Sequence, residues 1–214
     1  MSECTMRVDV RVLTQARIIP VLRYSDVETT VYAAACAVQA GYTALELTAT
    51  TPDVLQAFHR LRDCYGSSVA LGVGTITDSR SAESVLSAGA DFIVSPGCVP
   101  EVAMLAREAG ALSLLGAFTP TELLAAMQAG ADAVKLFPAE TGGPSHLAAL
   151  KAVFPDVPIC PTGGITVDNI KAYLQAGAAY LGIGSSLFDK KAFAERDTEV
   201  VVASAKRVLE VAHA

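Results

Sequence analysis

The stretches AGYTALELT (40–48) and AGADAVKLFPAE (129–140) decide how this chain folds, because they are two copies of one junction. In each, an alanine-rich amphipathic run ends in Ala-Gly and an apolar, strand-like run follows at once. Three more copies stand at AGADFIVSPG (88–97), AGALSLLGA (109–117) and AGAAYLGIGSS (176–186). Glycine readily takes the left-handed conformation that ends a helix, so each copy reads as a helix stop followed by a strand. The glycines fall at 41, 89, 110, 130 and 177, and the gaps of 48, 21, 20 and 47 make the outer two about twice the inner two.

Each long gap hides a further apolar run, SVALGVGT (68–75) and VPICPTGG (157–164), and ARIIPVLR (16–23) precedes the first copy. That makes eight strands, separated by helical patterns long enough for right-handed crossovers. Eight alternating units with no composition break predict one α/β domain over 1–214, a (β/α)8 TIM barrel filled by small and branched side chains. An open doubly wound sheet is the alternative, but the GxGxxG that usually follows its first strand is missing, as is a P-loop. MRVDVRVLTQ (6–15) predicts a short N-terminal helix covering the bottom of the barrel, and TEVVVASAKRVLEVAHA (198–214) a C-terminal helix.

Composition narrows the function classes. With 52% hydrophobic and 18% charged residues the chain has a large core, which excludes disorder. Six Tyr, seven Phe and no Trp leave that core to Ala, Val, Leu and Ile, as buried parallel sheet requires. The formal charge is 16 − 22 = −6 with the basic residues scattered, so no stripe exists to hold a nucleic acid. No run reaches the ~18 uninterrupted apolar residues of a membrane span, so no membrane partner is expected. Cys4, Cys36, Cys64, Cys98 and Cys160 are odd in number and never form a CxxC, and Glu3, Arg7, Asp9 and Arg11 occupy the place of a signal peptide's apolar run. A reducing, cytoplasmic setting is the expectation. His59, His146 and His213 lack metal-ligand spacing and read as surface residues; no metal site and no cofactor are expected.

Charges inside the strands are the functional signal, since burying one costs several kcal/mol, of order 5, unless it has a partner or a task. Arg23 ends strand one, Glu46 sits in strand two and Lys135 in strand six. By the two-residue period of a strand, Ala133, Lys135 and Phe137 share one face and Val134 and Leu136 the other. The aliphatic pair suits the helix layer, so Lys135 points into the barrel. Desolvation disfavours the protonated form of an amine, the condition a Schiff-base lysine needs. A carboxylate reaching the same interior from Glu46 can deliver and remove the protons of imine chemistry. A purely structural Lys135–Glu46 ion pair is the other reading. Arg23 offers a planar fork suited to a carboxylate. Glycine and hydroxyl residues after strands seven and eight, Thr162, Gly163, Gly164 and Ser185 among them, suit a phosphate held by backbone N–H groups and a helix N-terminus. Together these residues point to an imine-forming enzyme acting on a small phosphorylated carbonyl compound.

From IIPVLR (18–23) through ELTATTP (46–52), GVGTIT (72–77), FIVSPG (92–97), TPTE (119–122), AVKLFPAE (133–140) and PTGGIT (161–166) to GIGSSL (182–187), the chain resembles the family of 2-keto-3-deoxy-6-phosphogluconate (KDPG) and 4-hydroxy-2-oxoglutarate (KHG) aldolases. The resemblance implies a homotrimeric, metal-free class I aldolase that releases pyruvate from a 2-keto acid, with glyceraldehyde 3-phosphate as co-product from KDPG and glyoxylate from KHG. It further implies Lys135 as Schiff-base former and Glu46 as general acid/base. Thr75 and Thr162 would contact the pyruvate portion, Phe137 would pack beside the lysine, and Pro96 would line the substrate. Gly163, Gly164 and Ser185 would contact phosphate.

Two positions depart from the commonest family pattern. One branch has an arginine four residues after the glutamate, where Thr50 stands here; a second carries it after strand one, where Arg23 stands. Arg23 is therefore the expected carboxylate ligand, which brings the galacto epimer of KDPG in beside KDPG and KHG as a substrate. Leu115 replaces a frequent proline before Gly116, with the expectation that it reshapes a loop bordering the site. A phosphate-binding barrel acting as isomerase or metal-dependent decarboxylase, and a non-catalytic sugar-phosphate binder, are the rival readings.

Overall fold

The computed structural model describes residues 8–214, so Cys4 and the start of the predicted N-terminal helix lie outside the described residues. Eight strands are present: β1 (Ile18–Leu22), β2 (Ala44–Thr48), β3 (Ala70–Gly74), β4 (Phe92–Val94), β5 (Leu112–Ala117), β6 (Ala133–Leu136), β7 (Ile159–Pro161) and β8 (Leu181–Ile183). The helices are α1 (Arg11–Ala16), α2 (Val27–Gln39), α3 (Val54–Tyr65), α4 (Ser79–Ser87), α5 (Pro100–Glu108), α6 (Pro120–Gln128), α7 (Ala139–Val153), α8 (Ile170–Gln175), α9 (Lys190–Glu195) and α10 (Thr198–His213). All strand pairs are parallel, in sequential order with β1 beside β8. A bridge between Thr162 and Gly182 and the Ala179 N–H donating to the Ile159 carbonyl join β7 to β8 and close the barrel.

The Ala-Gly junction is a C-cap repeated five times. After α2, Gly41 has φ 103°, its N–H donates to the Val38 carbonyl, and the Tyr42 N–H donates to Ala37. That pair of bonds closes the orphan carbonyls of the last turn and demands a positive φ, which only glycine takes without strain. The same pair recurs at Gly89, Gly110, Gly130 and Gly177. In two copies the aspartate after AGA adds a brace: Asp91 accepts from the Leu71 N–H at 2.7 Å and Asp132 from the Ser113 N–H at 2.9 Å. Each caps a neighbouring strand at its entry to the barrel.

Two cores result from strand alternation. Leu45, Leu47, Val73, Ile93, Leu115, Val134, Leu136 and Ile159 pack outward under the helices. Ile19, Ala44, Ala70, Phe92, Leu112, Ala133 and Tyr180 fill the barrel, and Leu13 and Ala16 of α1 plug its lower end. Gly72 makes room for the Phe92 ring, which would lie 2.3 Å from a Cβ at that position. Leu115 belongs to the outer core, inside β5 and opposite Val134. The expectation that it reshapes a loop at the site is therefore corrected: the period of two turns it towards the helix layer. No helix among the described residues is long and apolar enough to cross a membrane.

Candidate active site

Lys135 and Glu46 reach the barrel interior from β6 and β2, as the alternation of their strands requires. Both are buried, at 6% and 4% exposure, with Lys135 Nζ 3.6 Å from Glu46 Oε1. That separation is an ion pair longer than a hydrogen bond, and Glu46 Oε1 has no hydrogen-bond partner among the described residues. A carboxylate and an amine are thus buried together with hydrogen-bonding capacity to spare. Glu46 fits because β3 is bare beside it: a Cβ on Gly74 would come 1.8 Å from Oε1. The Phe137 ring is half-open to the cavity, its centroid 5.5 Å from Lys135 Nζ.

The other predicted residues stand at the C-terminal ends of the strands. Thr162 follows β7; its hydroxyl lies 3.7 Å from Cys160 Sγ, and Gly182 leaves room for it where a Cβ would sit 2.3 Å away. Thr75 follows β3 with φ 64°, a left-handed conformation rare for a β-branched residue. Its hydroxyl accepts from Arg23 Nη2 at 3.5 Å. Arg23 lies one residue past β1 and is exposed, so the expectation of a charge ending the strand itself is corrected by that step. Pro96 is half-buried after β4, its carbonyl pressed where a Cβ on Gly116 would lie 2.1 Å off. Thr50 is turned back, its hydroxyl donating to Thr48 Oγ1 at 3.3 Å.

Gly163 (φ 96°) and Gly164 (φ 71°) occupy positive-φ backbone conformations that favour glycine. Asn169 braces the turn, accepting from the Thr166 N–H and donating to the Gly164 carbonyl, both at 2.9 Å. Ser185 is exposed on the adjoining loop after β8. Among the described residues the N–H groups of Gly164 and Ser185 are given to no other protein group, as an anion cradle needs. The helix N-terminus expected there is absent: α9 starts only at Lys190. Arg23, Phe137, Thr162, Gly163, Gly164 and Ser185 line one cavity of about 520 Å³.

Sequence reasoning missed three residues of this region. Cys160 is paired in register with Lys135; burial pushes its thiol up to about 12. Gly74 was visible as a strand-end glycine, without its steric role. Glu140 lines the same cavity, and its place in KLFPAE was the available signal. His146 is half-buried rather than a plain surface residue: it stacks on Phe118, and its Nε2 lies 2.6 Å from the Phe118 carbonyl.

Residues 10–204 match the family model for KDPG and KHG aldolases. The chain is 31% identical over 194 residues to the 2-dehydro-3-deoxy-6-phosphogalactonate aldolase of Escherichia coli, covering 90% of this chain and 95% of that one. It is 38% identical over 176 residues to the 2-dehydro-3-deoxy-phosphogluconate aldolase of Pseudomonas aeruginosa, covering 81% and 79%. In structure it is similar to a KDPG aldolase of Legionella pneumophila in which pyruvate was captured as a covalent carbinolamine, with TM-score 0.84, 29% identity and 92% and 96% coverage.

Proposed function

This chain belongs to the KDPG and KHG aldolase family, and on that premise we propose that it cleaves a 4-hydroxy-2-keto acid through an imine formed on Lys135. It is a class I pyruvate aldolase: KDPG gives pyruvate and glyceraldehyde 3-phosphate, and KHG gives pyruvate and glyoxylate. The observation that carries the reading is the buried Lys135–Glu46 pair, 3.6 Å apart on two strands of the barrel. As a merely structural pair it would cost more to desolvate than a well-packed hydrophobic pair of the same volume.

The Lys135 amine attacks the C2 ketone, and Glu46 shuttles protons as the carbinolamine loses water to become a protonated imine. The iminium draws electrons, so loss of the C4 hydroxyl proton breaks the C3–C4 bond. The aldehyde leaves and an enamine of pyruvate stays on Lys135. Protonation of the enamine at C3, with Glu46 as the proton source, and addition of water free pyruvate and the amine. Thr75 and Thr162 contact the pyruvate portion, Phe137 packs beside the lysine and Pro96 lines the substrate. Gly163, Gly164 and Ser185 hold the phosphate.

Arg23 binds the substrate carboxylate in place of the missing arginine at Thr50. That exchange favours a second substrate, the galacto epimer of KDPG, and the 31% identical relative from E. coli carries that epimer in its name. A homotrimer in the cytoplasm completes the proposal on the family resemblance; sedimentation equilibrium at one chain mass instead of three would overturn the assembly. Borohydride added with pyruvate tests the chemistry: a reduced adduct on Lys135, lost in Lys135→Ala, is expected, and no covalent mass would sink the imine. Coupled pyruvate release from KDPG, its epimer and KHG then ranks the substrates.

A further inference from the structure

The cavity has two charged side chains in its wall, Arg23 and Glu140, and the buried Lys135–Glu46 pair does not itself line it. Glu140 stands at the start of α7, and its backbone is tied to the turn after β7: the Glu140 N–H donates to the Gly163 carbonyl at 3.2 Å, and the Ala139 N–H to Thr162 at 2.9 Å. Its carboxylate leans over the second glycine, where a Cβ on Gly164 would lie 2.4 Å from Oε2. That side chain is exposed and has no ion-pair or hydrogen-bond partner among the described residues. The glycine turn therefore carries an acid on its rim, in a cavity whose wall also holds the cation of Arg23.

We propose that Glu140 is a specificity-determining residue that sets the charge the far end of the substrate is allowed to carry. The proposal rests on the aldolase reading above and deepens it. Backbone N–H groups at Gly164 and Ser185 attract any oxyanion, while the Glu140 carboxylate opposes a full dianion. It can also accept a hydrogen bond from an oxyanion that keeps a proton, as a phosphate ester partly does near its second pKa of about 6. The charged and titratable groups facing this end are Arg23 and Tyr24 of the cavity wall and Tyr173 of α8. The Tyr173 hydroxyl is committed to the Ala139 carbonyl. A unit charge at roughly 6 Å in a mostly aqueous, salt-screened mouth opposes a dianion by about fivefold in affinity. The balance between phosphorylated and unphosphorylated keto acids is thus set by one side chain.

Glu140→Gln keeps the size of the side chain and removes the charge. The test measures the kcat/KM ratio of KDPG over KHG in both proteins, and sulfate binding by calorimetry without substrate. A ratio raised about fivefold, with sulfate, a dianion at every working pH, bound about fivefold tighter, is the expected result. An unchanged or lowered ratio, or unchanged sulfate affinity, overturns the proposal. If the unaltered protein released pyruvate from none of the keto acids, the aldolase reading would fail instead, and sulfate binding would still decide the role of Glu140.

Discussion

The carboxylate of Glu46 lies against the bare Cα of Gly74, so that a single methyl at that position would stand 1.8 Å from Oε1. The two residues are next-door neighbours across β2 and β3, whose register pairs Glu46 with Gly72 and Thr48 with Gly74. Gly74→Ala must push the acid away from Lys135 while leaving the charge count intact. A misplacement of about 1 Å costs on the order of 10²-fold in rate, so kcat should fall by about that factor. Glu46→Gln should fall at least as far and weaken folding much less than it slows turnover. Steady-state kinetics beside urea denaturation checks both, and near-normal turnover in either variant would remove Glu46 from the proton transfers.

Arg23 is exposed at the cavity mouth and its fork touches only Thr75 among the described residues. An arginine that binds the carboxylate common to all three keto acids contributes equally to each. Arg23→Ala should therefore lower kcat/KM for KDPG, its galacto epimer and KHG alike, by roughly 10 to 100-fold, the worth of a charge-assisted contact. A loss confined to the two phosphorylated substrates would reassign Arg23 to the phosphate.

At the opposite end of the barrel, Leu13 of α1 is fully buried against the first residues of the strands. Leu13→Ala leaves a cavity in the plug and should cost about 3 kcal/mol of stability. The catalytic pair is carried on other elements, so kcat at 25 °C should stay within about twofold of the parent. Thermal unfolding read beside turnover tests this division of labour, and an equal loss of both would show that the plug shapes the site.

The repeated junction made the barrel legible because one local rule, a glycine C-cap before a buried strand, was written five times. Lys135 and Glu46 were legible for the same kind of reason: a charge inside an apolar strand has few explanations. What stayed hidden needs three-dimensional neighbours. Gly74 looks like any turn glycine until Glu46 is placed against it. Cys160 looks like an ordinary core residue until register puts it opposite Lys135. Leu115 was misjudged because a proline-to-leucine exchange beside Gly116 suggests a loop, whereas β5 continues through it to Ala117.

Cys160 and Tyr180 give the barrel interior an alkaline limit. Burial raises the Cys160 thiol from its ordinary 9.0 to about 12 and the Tyr180 hydroxyl well above 10.0. Between pH 9 and 12 the unfolded chain has given up the thiol proton and the folded chain still holds it. The unfolded state then binds fewer protons, so stability falls as pH rises, by up to about 1.4 kcal/mol per pH unit for this one group. The contribution is complete below pH 9 and lost progressively above it. Urea denaturation from pH 8 to 10.5 should show that decline, and Cys160→Ala should flatten it by about one proton while leaving the part due to Tyr180, which begins near pH 10. A slope identical to the parent's would mean that the thiol ionises as freely in the fold as in the open chain.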